Sequence, residues 1–162
     1  MADETVTPET PTPTEGTDSP ANENLKVRKE MDDLWNTGNF KEFWEAHTND
    51  VTVIASYLPT PTKGLNAHRK DVEALIAAFP DMKTNTTLLF GQGDWIAAEY
   101  VMEGTHTAPF VLPGGMVIPA TNKRVRVKAC ELSRMENGKF AEERVHFDLA
   151  GLMMQLGIVP RP

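Results

Sequence analysis

At Lys83 the spacing of apolar residues changes from the period of a helix to that of a strand, and this switch limits the fold more than any other feature of the chain. Before it, Val27, Met31, Leu34 and Trp35 fall on one helical face, and Phe40, Phe43, Trp44 and His47 on another. Asn24 and Asn39 stand where caps are expected, and Gly38 lies just beyond the first helix. Val51-Thr-Val-Ile-Ala reads as a strand and Leu58 to Gly64 as a Pro/Thr-rich loop. A third helix starts near Leu65, carries Leu65, His68, Val72, Leu75, Ile76 and Phe79 on one side, and stops at Pro80.

Beyond Lys83, Thr84–Phe90 and Trp95–Thr105 read as strands around the turn Gly91-Gln-Gly-Asp. Ile96, Ala98, Tyr100 and Met102 share one face of the second, with Glu99 and Glu103 on the other. Lys123–Arg134 and Lys139–Phe147 form a hairpin through Glu136-Asn-Gly-Lys, and Asn-Gly is a strong turn signal. Leu149–Leu156 closes as a short helix ended by Gly157. Helices gathered at one end of an antiparallel sheet define an α+β domain, and a curved sheet would enclose an apolar cone against them.

Composition narrows the function. Of 23 acidic residues in the 162-residue chain, six lie in residues 1–24, which hold no Lys or Arg, so 17 acids face 16 bases in the rest. Residues 1–24, rich in Thr and Pro, are expected to be a disordered acidic tail, and residues 25–162 the folded domain. A net charge of -7 argues against a phosphate-tracking nucleic-acid binder. No apolar run approaches the roughly 20 residues that span a bilayer, and no secretory signal pattern is present, so the expected location is the cytoplasm. Cys130 is the sole cysteine, which excludes an intrachain disulfide and a cysteine metal cluster. His47, His68, His106 and His146 show no metal-ligand spacing, so no metal is expected.

Candidate chemistry concentrates in Glu142-Glu-Arg-Val-His-Phe-Asp148. The two-residue period puts Arg144, His146 and Asp148 on one face. If that face lines the cone, desolvation raises the Asp148 pKa toward the range useful for proton transfer, with His146 about 7 Å along the strand to orient it. Alternatively, Asp148 is only the cap of the terminal helix, or the face is solvated. Trp44, Tyr57, Tyr100, Met102 and Phe110 are the expected apolar pocket residues, with Arg144 as a further substrate contact.

Several segments, in register, resemble one family. They are Gly64-Leu-Asn-Ala-His68, Ala77-Ala-Phe-Pro-Asp81, Gly104-Thr-His-Thr-Ala-Pro-Phe110, Asn122-Lys-Arg-Val125, Glu136-Asn-Gly-Lys139 and Phe147-Asp-Leu-Ala-Gly-Leu-Met-Met-Gln-Leu-Gly157. From Leu25 to Gly157 the chain is similar to the SnoaL-like polyketide cyclases (ester cyclases), cone-shaped members of the nuclear-transport-factor-2-like superfamily. The resemblance implies an intramolecular aldol condensation on a small hydrophobic carbonyl compound, without a metal or organic cofactor. Asp148 would be the acid/base, and His106 would polarise substrate or shape the pocket. It also implies a homodimer through the outer sheet face, where Trp95, Ala97 and Val101 lie beside Glu99 and Glu103. Arg144 stands where the family commonly has Trp, and His146 where an apolar residue is usual; a cation there would lower the Asp148 pKa. Two alternatives stand beside this reading. One is a non-catalytic binding module using the same cavity. The other is a relative of the limonene epoxide hydrolases, whose Arg and Asp would fall at Tyr100 and Met102, leaving the water-activating pair missing.

Overall fold

The computed structural model describes residues 20–111 and 115–160. The expected tail falls mainly outside them, but its last residues do not. Helix α1 spans Pro20–Thr37, so it extends upstream of the expected Asn24 cap, and Ala21 and Asn24 are buried within it. The folded body therefore includes residues 20–24.

Helix α2 spans Phe40–Glu45, and Asn39 occupies its cap position without a side-chain bond. Strand β1 (His47–Ala55) follows, then β2 (Thr62–Lys63), helix α3 (Leu65–Ala78), β3 (Lys83–Gln92) and β4 (Trp95–Thr105). Next come the short β5 (Phe110–Val111) and β6 (Val117–Ile118), then β7 (Arg124–Glu136), β8 (Lys139–Phe147) and α4 (Leu149–Leu156). The two-residue strands β2, β5 and β6 are too short to give a periodic signal, and the sequence reading missed them.

Six strands form one curved, open sheet in the order β2-β1-β8-β7-β4-β3, while β5 pairs with β6 separately. The expectation of a wholly antiparallel sheet is corrected in one place, since β1 and β8 run parallel. Long-range closure of this kind leaves no mark on local spacing.

Helix α1 lies against β3. The Asn36 amide donates to the Thr84 carbonyl at 2.8 Å and its oxygen accepts from the Thr84 N–H at 2.9 Å. One turn earlier, the Asp32 carboxylate accepts from the Thr84 hydroxyl at 3.0 Å and from the Thr86 N–H. These bonds satisfy an edge strand whose groups would otherwise be free to pair with another chain. Around this frame Phe79, Val125, Val127, Leu152 and Leu156 form one apolar cluster, and Met31, Phe43, Ile96, Met135 and Phe140 another.

A bulge sets which residues of β8 face inward. Glu136 pairs with Lys139 and Met135 with Phe140, but Arg134 then pairs with Glu142 and Ser133 with Glu143. The extra residue falls at Ala141 and reverses the alternation. Phe140 points into the core, and beyond the bulge Glu143, Val145 and Phe147 are the inward residues.

Candidate functional site

The inner sheet face and the helices enclose an apolar cavity of about 400 Å³, a volume suited to a small organic ligand. Tyr57, Tyr100, Met102 and Phe110 all line it, as expected from the sequence, together with Trp35, Phe79, Val127 and Phe147. Trp44 does not; it packs edge-on against His68, with ring centres 5.6 Å apart.

The expected acid/base face is placed elsewhere, because the bulge turns Arg144, His146 and Asp148 to the outer side. All three are exposed. The Arg144 guanidinium donates to the Glu142 carboxylate at 2.6 Å and lies 5.7 Å from the centre of the Trp95 ring. His146 stands opposite Cys130 on that outer side. Asp148 caps α4, its carboxylate accepting from the Gly151 N–H at 2.8 Å. The placement of Asp148 in an apolar pocket is thus corrected.

His106 is also removed from the cavity lining. It is 0 % exposed, stacks on Phe79 with ring centres 5.0 Å apart, and pairs with the Thr121 hydroxyl at 3.1 Å. Burial pushes its pKa down, only partly opposed by a backbone hydrogen bond at Ala108, which favours a neutral ring bracing β4.

Besides the tyrosine hydroxyls, the polar groups that reach the cavity come from residues the sequence analysis did not single out as site residues. On β7 the inward register Val125, Val127, Ala129, Glu131, Ser133, Met135 is apolar except at Glu131 and Ser133. A carboxylate in such a register is the signal that could have been read. Glu131 is 7 % exposed, accepts from the Ser133 hydroxyl, and lies 3.7 Å from the Arg28 Nε. Arg28, buried on α1, also meets Asp32 at 3.6 Å and sits 5.2 Å from the centre of the Tyr100 ring. Burial raises the Glu131 pKa and outweighs the opposing pull of Arg28. Burial likewise holds the Tyr100 hydroxyl well above the ordinary tyrosine value.

Glu143 forms a second polar group with two histidines. It lies 3.3 Å from the His68 Nε2 and 3.7 Å from the His47 Nε2. Burial acts to raise its pKa, but the histidines and Arg28 more than offset this and the net direction is down. Desolvation lowers the His68 pKa despite the nearby carboxylate. His47, His68 and Glu143 bring one donor atom each within 4.8 Å of one another, a grouping that linear spacing concealed.

Comparison with known proteins agrees with this architecture. The family model for the SnoaL-like polyketide cyclases matches residues 25–156, and the chain belongs to that family. Among curated proteins none matches. A Jannaschia sp. CCS1 protein assigned as a SnoaL-like polyketide cyclase is 21 % identical, with a TM-score of 0.77, covering 90 % of this chain and 100 % of that one. IdmH of Streptomyces antibioticus, assigned as a polyketide cyclase, is 21 % identical with a TM-score of 0.70, covering 83 % and 98 %. An M. tuberculosis protein described as an LEH-like epoxide hydrolase is 12 % identical with a TM-score of 0.64, covering 85 % and 92 %. At these identities the solved structures share the fold with this chain, and a fold of this kind does not fix chemistry. Among the described residues, no helix is long and apolar enough to cross a membrane.

Proposed function

We propose that this chain is an acid–base enzyme acting on a small hydrophobic carbonyl compound, through ring-closing aldol chemistry of the polyketide-cyclase kind. The observation that carries the reading is Glu131, a buried carboxyl group on the wall of an apolar cavity with its pKa raised by desolvation. A carboxyl group tuned upward in this way is suited to both taking and returning a proton near neutral pH.

In this mechanism the Glu131 carboxylate removes a proton from the carbon beside a substrate carbonyl. The enolate carbon attacks a second carbonyl in the same molecule, forming the new C–C bond. The alkoxide that results takes the proton back from Glu131, so the carboxylate is regenerated. Tyr100, kept protonated by burial, donates a hydrogen bond to the developing enolate oxygen, and the Arg28 charge beside it adds electrostatic support. The apolar walls at Phe79, Met102, Phe110 and Val127 hold the substrate folded, so that the two carbonyl groups meet.

Asp148, at the solvent-facing cap of α4, takes no part in this scheme. The binding-module reading has one observation in its favour: Arg28 is already engaged by Asp32 and Glu131, as in a purely structural network. The epoxide-hydrolase reading is supported by shared fold alone. We also assign the outer sheet face to a second copy of the chain, since Phe90, Trp95 and Leu132 are exposed there.

The test incubates the protein in D2O with a panel of hydrophobic β-keto esters that carry a further ketone along the chain, within reach of the enolate carbon, and follows deuterium uptake and ring closure by mass spectrometry. The wild type is expected to exchange and cyclise at least one compound. Glu131→Gln should slow it by about 10²- to 10⁴-fold. A Glu131→Gln protein that works at the wild-type rate rules this assignment out.

A further inference from the structure

We propose that His47, His68 and Glu143 form a binding site for one divalent transition-metal ion of the zinc class, open on one side to the cavity. His47 begins β1, Glu143 lies on the adjacent parallel strand β8, and His68 sits on α3, which follows β1 and β2 in the chain. Two imidazole nitrogens and a carboxylate oxygen are a donor set that zinc-class ions favour. The contacts of 3.3 and 3.7 Å between nitrogen and oxygen are close to the roughly 3.4 Å separating ligands of a tetrahedral ion bound at about 2.1 Å.

The hydrogen bonding around His47 makes the argument specific. Its Nδ1 lies 2.9 Å from the Phe43 carbonyl, which can only accept, so Nδ1 carries the proton and donates. With Nδ1 protonated, Nε2 faces the Glu143 carboxylate at 3.7 Å, an arrangement that calls for a proton or a metal ion between the two. Both His47 Nε2 and Glu143 Oε2 are buried and make no hydrogen bond among the described residues. A backbone carbonyl that fixes the tautomer of a ligating histidine is a usual outer partner in metal sites. Arg28, whose charge also acts on Glu143, is itself engaged by Asp32 and Glu131.

His68 and Glu143 line the cavity, while His47 is 3 % exposed and lies outside its lining. An ion held by the three would present its remaining coordination positions to the cavity, where a substrate oxygen or water could occupy them. This site shares the cavity with the proton-transfer reading but rests on other residues, so either can fail without the other.

The experiment titrates the untagged full chain, stripped with chelator, with Co²⁺ and then with Zn²⁺. One Co²⁺ per chain is expected, seen as visible d–d absorption that Zn²⁺ abolishes by displacement. Glu143→Gln and His68→Gln, checked for folding by circular dichroism, should each weaken Zn²⁺ binding by about tenfold or more. A wild type that takes up no stoichiometric Co²⁺ overturns the proposal, because an imidazolium–carboxylate pair then explains the cluster. Variants that bind as tightly as the wild type overturn it too.

Discussion

The Gly151 N–H donates to the Asp148 carboxylate at 2.8 Å, and the two residues fit together only because position 151 has no side chain. A Cβ built there would run into the Asp148 carboxyl group. The aspartate that looked like a catalyst is thus fitted to the first turn of α4.

The cap predicts a stability effect without a catalytic one. Asp148→Ala should cost about 1 kcal/mol and lower Tm by roughly 2–4 °C, whereas Asp148→Asn, also a good cap, should be nearly neutral. Turnover at saturating substrate should stay at the wild-type level in Asp148→Asn. Gly151→Ala should destabilise by pushing the carboxylate out of its bond. Thermal melts monitored by circular dichroism check each value.

Glu131 predicts an inverse relation between activity and stability. Its pKa is raised on folding, so between the ordinary glutamate value of 4.5 and the higher folded value the native state binds more protons than the unfolded one. Stability from this group is therefore fully present below about pH 4.5 and declines as pH rises through the folded pKa. Arg28, Glu143, His47 and Ser133 act on the carboxyl group and are unchanged in a Glu131→Gln variant. Urea unfolding across pH 4 to 8 should show the variant gaining on the wild type as pH rises, although it loses turnover.

Tyr100→Phe removes only a hydroxyl group from the cavity wall. If that hydroxyl steadies an enolate oxygen, kcat should fall by about 10- to 10²-fold while KM changes little. An unchanged kcat assigns Tyr100 to packing alone.

The outer sheet face carries the dimer prediction. Phe90 pairs with Ala97 and Ala97 with Leu132, forming an apolar row across β3, β4 and β7. Val101, which the sequence suggested for this surface, is buried and offers it little. Light scattering after size exclusion should give a dimer for the wild type and a monomer for Phe90→Lys/Leu132→Lys. A monomeric wild type contradicts the assignment.

Much of the fold was legible because it is written in local periods. Trp95–Thr105, Lys139–Phe147 and Leu149–Leu156 have the bounds read from the sequence, and Tyr57, Tyr100, Met102 and Phe110 do share a cavity. What could not be read was the phase of β8. Alternation grouped Arg144, His146 and Asp148 correctly on one side, but a single extra residue at Ala141 decides which side that is. The His47–His68–Glu143 grouping was hidden for a related reason: its members come from a strand start, a helix and a distant parallel strand. Glu131 was legible in principle, as the one carboxylate in the buried register of β7.

The most direct measurement is the titration of the Glu131 carboxyl group by NMR in protein labelled with ¹³C at glutamate side chains. A resonance with its midpoint above 4.5 that disappears in Glu131→Gln and shifts when a hydrophobic ketone enters the cavity is the expected result. A Glu131 that titrates at or below 4.5 and ignores the ketone contradicts an acid–base group poised inside the cone.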